Sequence, residues 1–191
     1  MIYTVINFLE TIKNPKRGGK YYEKQRQLDK QVNEKNVSSF LEGFAEEFKR
    51  LNIQYAEAEF SGGHDEGGYD SFTWLDKDKK EINLKDCNNK SYYIRTLVKR
   101  EYNDADKGTK KIDVFYYDEC KYQSLENIGL DEIFWKLGAL DRFGSFAGEY
   151  SVNGTVLLNV ITGDYKLEGN ETVEDWQPLN DSGRISVTLT E

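Results

Sequence analysis

The residues able to do chemistry are concentrated in Ser61-Gly62-Gly63-His64-Asp65-Glu66-Gly67-Gly68-Tyr69-Asp70-Ser71, which holds the chain's one histidine, three carboxylates and two glycine pairs. Metal binding is the sharpest chemistry such residues suggest. His64, Cys87 and Cys120 are the soft ligands, and with Asp65 or a water they would complete a tetrahedral zinc site. Spacing argues the other way, because there is no Cys-x-x-Cys pair and the ligands are scattered over three segments. Zinc is the cofactor these residues would hold, if they hold one. Asp65, Glu66 and Asp70 offer a weaker oxygen site, whereas neither Asp76-x-Asp78 nor Asp104-x-Asp106-x-Gly108 has the remaining ligands of a calcium loop.

Other chemistries find less support. A single histidine restricts any serine or cysteine triad to His64, and no serine stands in a Gly-x-Ser-x-Gly turn that would expose it. Carboxylate pairs such as Glu57 with Glu59 say nothing about glycoside chemistry without distances. A phosphate cradle is excluded by the charge of Asp65 and Glu66 and by the lack of a lysine after the second glycine pair. The expectation is a protein that is not an enzyme. The glycine pairs fit either a tight connection between strands or a backbone that takes positive φ or approaches another surface closely. In the second case Asp65, Glu66, Tyr69 and Asp70 are the candidate partner-binding residues.

Composition narrows the partner. With 34 acidic against 26 basic residues the formal charge is -8, which repels nucleic acid and favours a basic protein surface. Carboxylates at Asp118-Glu119, Asp131-Glu132, Glu168, Glu171 and Glu174-Asp175 could substitute for phosphates in a groove that normally holds DNA. Solubility alone also explains such charge. No apolar run approaches the roughly 18 to 20 residues of a membrane span, and the N-terminus does not read as a secretory leader. A cytoplasmic protein is expected, its cysteines free thiols or metal ligands rather than a disulfide.

The elements that must position these residues are legible in part. At 191 residues the chain fits a single domain spanning 1–191, of which 1–37 can stand as an N-terminal appendage. Residues 2–12 fit a short helix or a strand equally, and 13–24, with Pro15 and Gly18-Gly19, reads as a basic loop that ends regular structure. Ser39 and Glu42 have capping-box spacing, and Phe40, Leu41, Phe44, Ala45, Phe48 and Leu51 recur at helical intervals; Glu42, Glu46, Glu47, Lys49 and Arg50 take the polar face. Residues 53–60 alternate as a strand that enters the glycine loop, Phe72-Leu75 resumes it, Asp76-Glu81 is a charged turn, and Ile82-Leu84 alternates again as part of a meander. Tyr92-Val98 and Ile112-Tyr117 could pair as a long hairpin or be helical. Leu130, Ile133, Phe134, Leu137 and Leu140 mark a second amphipathic helix ending near Gly138. A C-terminal three-stranded meander follows: Phe146-Val152, an Asn153-Gly154 turn, Thr155-Ile161, a Thr162-Gly163-Asp164 turn, and Tyr165-Gly169. The tail from Trp176 adds an edge strand or frays. The fold class is α+β, a mostly antiparallel sheet with at least two amphipathic helices packed on it and the glycine-acid loop protruding at one end.

With these parts in order, Phe60-Ser61-Gly62-Gly63-His64-Asp65-Glu66-Gly67, followed by Phe143-Gly144-Ser145-Phe146 and a meander closing on Gly169-Asn170-Glu171, resembles small bacterial and phage proteins that carry a strand-to-loop GGGDSG-type motif. Here His64 replaces a usual glycine and Asp65 keeps the acid. The resemblance implies an α+β fold and a mobile-element setting, and by analogy an anti-CRISPR-like inhibitor in the host cytoplasm. Its partner would be a host defence complex such as a CRISPR nuclease, whose DNA access it blocks without touching nucleic acid or membrane. The alternatives are a small metal-dependent enzyme, or a zinc-stabilised structural module, built on residues 61–71.

Overall fold

The computed structural model describes residues 19–87, 90–94, 96–104, 110–117, 121–143, 146, 151–172 and 176–185. The chain forms helices α1 (Gly19–Gly43) and α2 (Ala45–Leu51) and a hairpin of β1 (Tyr55–Gly63) and β2 (Glu66–Leu75). A ribbon of β3 (Tyr92–Ile94), β4 (Leu97–Asp104), β5 (Lys110–Tyr117) and β6 (Lys121–Gln123) follows. Then come α3 (Leu130–Leu137), β7 (Ser151–Asn159), β8 (Asp164–Thr172) and β9 (Trp176–Arg184). The main sheet is five-stranded and antiparallel in the order β2-β1-β7-β8-β9, so the fold is α+β as expected.

The core lies on one face of this sheet. Alternation along β1 turns Ala56, Ala58 and Phe60 inward, in register with Trp74 and Phe72 on β2 and with Leu158 and Val156 on β7. Small alanines at the centre of the sheet leave room for the bulky stripe of the first two helices, in which Phe40, Phe44 and Phe48 are all buried and in ring contact. Phe48 reaches Trp74 at 5.8 Å between ring centres, and Phe134 of α3 reaches Phe72 at 5.7 Å. Each such ring contributes roughly 1.5–3 kcal/mol by leaving water.

Several expectations need correction. The helix does not start at a capping box on Ser39; that residue is inside α1, which begins at Gly19 and crosses residue 37 without a break. Residues 19–24, expected in a basic loop, are its first turns, while residues 2–12 lie outside the described residues. The assigned helix is interrupted only at Phe44, through which the Phe44 N–H to Phe40 carbonyl and Phe48 N–H to Phe44 carbonyl bonds still run, and at Gly43 beside it an added methyl group would overlap the Ile94 side chain of β3. Glu47, expected on the polar face, is fully buried. Ile82-Leu84 adds no strand. A single bridge joins Glu81 to Leu75, Ile82 N–H donates to the Trp74 carbonyl, and the chain then turns into a 3-10 segment, Leu84–Asp86, capped by the Asn83 side chain.

The long hairpin of Tyr92-Val98 with Ile112-Tyr117 forms only in part. β4 pairs with β5, but Tyr92-Ile94 pairs instead with Lys121-Gln123, so the ribbon has two ladders. The C-terminal meander is present with its registers moved. Asn153-Gly154 lies inside β7, and Gly154 faces Gly169 across the β7/β8 ladder, where a side chain on either would overlap the opposite backbone. The Thr162-Gly163-Asp164 turn is there, with Gly163 at φ 74° and Asn159 accepting from Ile161 and Thr162 N–H. Residues 147–150, expected in the first meander strand, lie outside the described residues. Trp176–Arg184 is the last edge strand, and the proline at 178 is tolerated there because an edge strand need not donate outward.

Candidate functional site

The glycine-acid stretch is almost wholly strand. β1 runs to Gly63, β2 starts at Glu66, and His64 and Asp65 alone make the turn, at φ 54° and 70°. Two consecutive positive φ values in a two-residue connection define the hairpin turn usually filled by Asn-Gly. The tight connection is formed, with positive φ at Gly63 (154°) as well as at His64 and Asp65 but not at Gly67 or Gly68, and the close approach is formed with it.

The glycines serve close approach. Gly62 and Gly67 face one another, and a side chain on either would collide with the Phe146 ring. Phe146 itself sits at φ 57° and stacks on Phe143, which meets Phe60. Its carbonyl accepts Asp65 N–H at 3.0 Å, so the tip is tethered to the chain that follows α3. His64, Asp65 and Glu66 remain exposed on this anchored backbone.

A bulge sets what lies below the tip. Glu59 pairs with Ser71 and Phe60 with Tyr69, which leaves Asp70 as the extra residue. Strict alternation from Trp74 and Phe72 would have turned Asp70 into the core and Tyr69 to water. The bulge reverses this: Tyr69 packs on Phe134, Phe72 and Trp135 and donates its hydroxyl to the Phe134 carbonyl at 3.1 Å, while Asp70 stays exposed. Burial holds the Tyr69 phenol well above its ordinary pKa, so it remains a neutral donor.

Trp135 completes this end. It is 49% exposed, lies edge-on to Tyr69 at 5.1 Å and covers Gly68, where an added methyl would stand 3.2 Å from the indole. Asp131 and Glu132 flank it on α3, with Glu132 paired to Lys136. Reading of the sequence passed over Trp135, although its place off the stripe Leu130-Ile133-Phe134-Leu137 was a usable signal, since a tryptophan facing water on an amphipathic helix is unusual.

Of the metal set, the described residues include His64, Asp65 and Cys87 but not Cys120. Cys87 follows the 3-10 turn Leu84–Asp86, beyond the Ile82 contact at the Trp74 end of β2, while His64 stands at the tip where β2 begins. Among the described residues no three His, Cys, Asp or Glu side chains are grouped to hold an ion. Cys120, Asp118-Glu119 and Glu174-Asp175 lie outside the described residues, as do Gly144 and Ser145. Glu168 is paired with Lys166 on the far face of the sheet. No described helix is long and apolar enough to cross a membrane. Compared with protein-family models, with curated proteins and with solved structures, the chain matches none.

Proposed function

We propose that this protein works by binding rather than by bond-making, and that it docks the end formed by the hairpin tip and Trp135 onto a basic surface of a partner protein. The observation that carries this reading is a half-exposed tryptophan seated on a glycine-floored hairpin whose exposed side chains include Asp65, Glu66 and Asp70, with His64 beside them. An aromatic anchor inside an acidic surround is the arrangement that supplies both affinity and charge selection at interfaces. The tethered backbone adds to it, because a site already rigid loses little freedom on binding.

The partner class that the resemblance suggests is a host complex that handles nucleic acid, such as a CRISPR nuclease. The protein would act as an inhibitor from a phage or mobile element that covers a DNA-entry surface. The formal charge of -8 supports a basic target.

The test is capture from a bacterial lysate containing such a nuclease, followed by a DNA-binding assay with the purified complex. Trp135→Ala should weaken association by about tenfold or more with an unchanged melting temperature, and Asp65→Asn with Asp70→Asn should flatten its salt dependence. Equal capture by wild type and Trp135→Ala would refute the reading.

A further inference from the structure

We infer that the edge of β2 beside Phe72 accepts an extended, positively charged segment of a partner protein as a short added strand. β2 is an outer strand of the five-stranded sheet. The Trp74 carbonyl is taken by Ile82 N–H at 2.8 Å, which shows that the backbone groups of Trp74 point away from β1. The pleat repeats every two residues, so the N–H and C=O of Phe72 point the same way, and among the described residues none bonds to them. The Asp70 bulge closes this window on one side and the Ile82 contact on the other.

Sheet edges are normally blunted by prolines, bulges or covering segments. The opposite edge, β9, carries Pro178. At Phe72 the flank is instead a groove of about 350 Å³, with Phe72, Thr73 and Trp74 on one bank and the segments 81–85 and 125–131 on the other. Apolar side chains such as Leu84 and Leu125 line it, and its exposed charges are Glu81, Glu126 and Asp131 against Lys85. An incoming strand would exchange main-chain hydrogen bonds with Phe72, place apolar side chains in the groove and set lysine or arginine beside the acids. The inference uses residues other than Trp135 and the hairpin tip, so either surface can fail while the other stands.

The experiment titrates a short peptide of alternating lysine and valine into the full chain, followed by amide NMR and hydrogen exchange. The expected result is saturable binding that slows exchange of the Phe72 amide by about tenfold or more. Glu81→Lys should weaken binding by about tenfold at unchanged melting temperature, and Trp135→Ala should leave it intact. A peptide N-methylated at every second residue along its pairing edge should not bind. The inference is overturned by no binding, by equal binding of the N-methylated or of a glutamate-valine peptide, or by bound peptide that turns helical. It is overturned equally if the protein alone dimerises with concentration while protecting Phe72, because a second copy would then be the occupant.

Discussion

At the scale of single residues, Glu47 carries more of the structure than its charge suggests. Its carboxylate is fully buried and accepts four hydrogen bonds: two from the Arg50 guanidinium, at 2.7 and 2.5 Å, one from Lys90 N–H at 3.0 Å and one from the Tyr92 hydroxyl at 3.0 Å. Arg50 chiefly, with those two further donors, outweighs the cost of burial and holds the acid down to about 2. The folded pKa is therefore below the unfolded one. The stability this residue contributes is complete above about pH 4.5 and is lost as pH falls toward 2, when the unfolded chain takes up the proton first. Glu47→Ala should cost about 1–3 kcal/mol in urea unfolding, since the Lys90 N–H and the Tyr92 hydroxyl lose this acceptor and the ion pair with Arg50 is removed. It should also flatten the pH dependence of unfolding between about pH 4.5 and 2, and a variant that kept the wild-type slope would show that other acids produce it. Reading along the helix could not place Glu47 inside, because two of the partners that satisfy it, Lys90 and Tyr92, stand more than forty residues downstream.

At the scale of elements, much of the fold was legible and the errors have common causes. The stripe from Phe40 to Leu51 and the face Leu130-Ile133-Phe134-Leu137 stood out because both repeat with the helical period. The first half of α1 did not, since Lys20 to Lys35 is made largely of Lys, Glu and Gln, which favour helix but show almost no apolar face. Asn153-Gly154 read as a turn on composition alone. The phase of Val152, Gly154, Val156 and Leu158 continues through it on one face, and that continuity was the better guide. The candidate site was half legible: residues 61–71 were found, but the bulge that sorts Tyr69 from Asp70 and the arrival of Trp135 depend on pairing. The hairpin turn yields a prediction of its own. Asn-Gly in place of His64-Asp65 should raise stability by roughly 0.5–1 kcal/mol, because Asn followed by Gly takes two consecutive positive φ values at lower cost than His followed by Asp, while the tether to Phe146 uses only the Asp65 backbone. Thermal melting checks the gain. A lower melting temperature would mean that the native side chains make contacts worth more than the backbone strain they bear.

Across the whole molecule, the ribbon β3–β6 is joined to the helices by two buried polar side chains as well as by apolar packing. Glu47 holds the start of β3, and Asn36 of α1 pairs with Leu97 at the start of β4, donating to its carbonyl at 3.0 Å and accepting its N–H at 2.6 Å. The Asn36 side chain thus stands in for a neighbouring strand, giving the first residue of β4 the two hydrogen bonds that a ladder would otherwise provide. The five-stranded sheet is built differently: it has its own ladders and an apolar face, and α3 bridges its β2 edge to α1. Ribbon and sheet should therefore open with different free energies, the ribbon at the lower one. Asn36→Ala removes a donor and an acceptor at once and leaves the Leu97 backbone unsatisfied in a half-buried place, a cost of about 1–3 kcal/mol. Its effect on amide exchange should be local. Protection should fall along Leu97–Asp104 and Lys110–Tyr117 while the amides of β1 and β7 keep theirs. Uniform loss of protection across both units would mean instead that ribbon and sheet unfold as one, with Asn36 contributing to a single cooperative core.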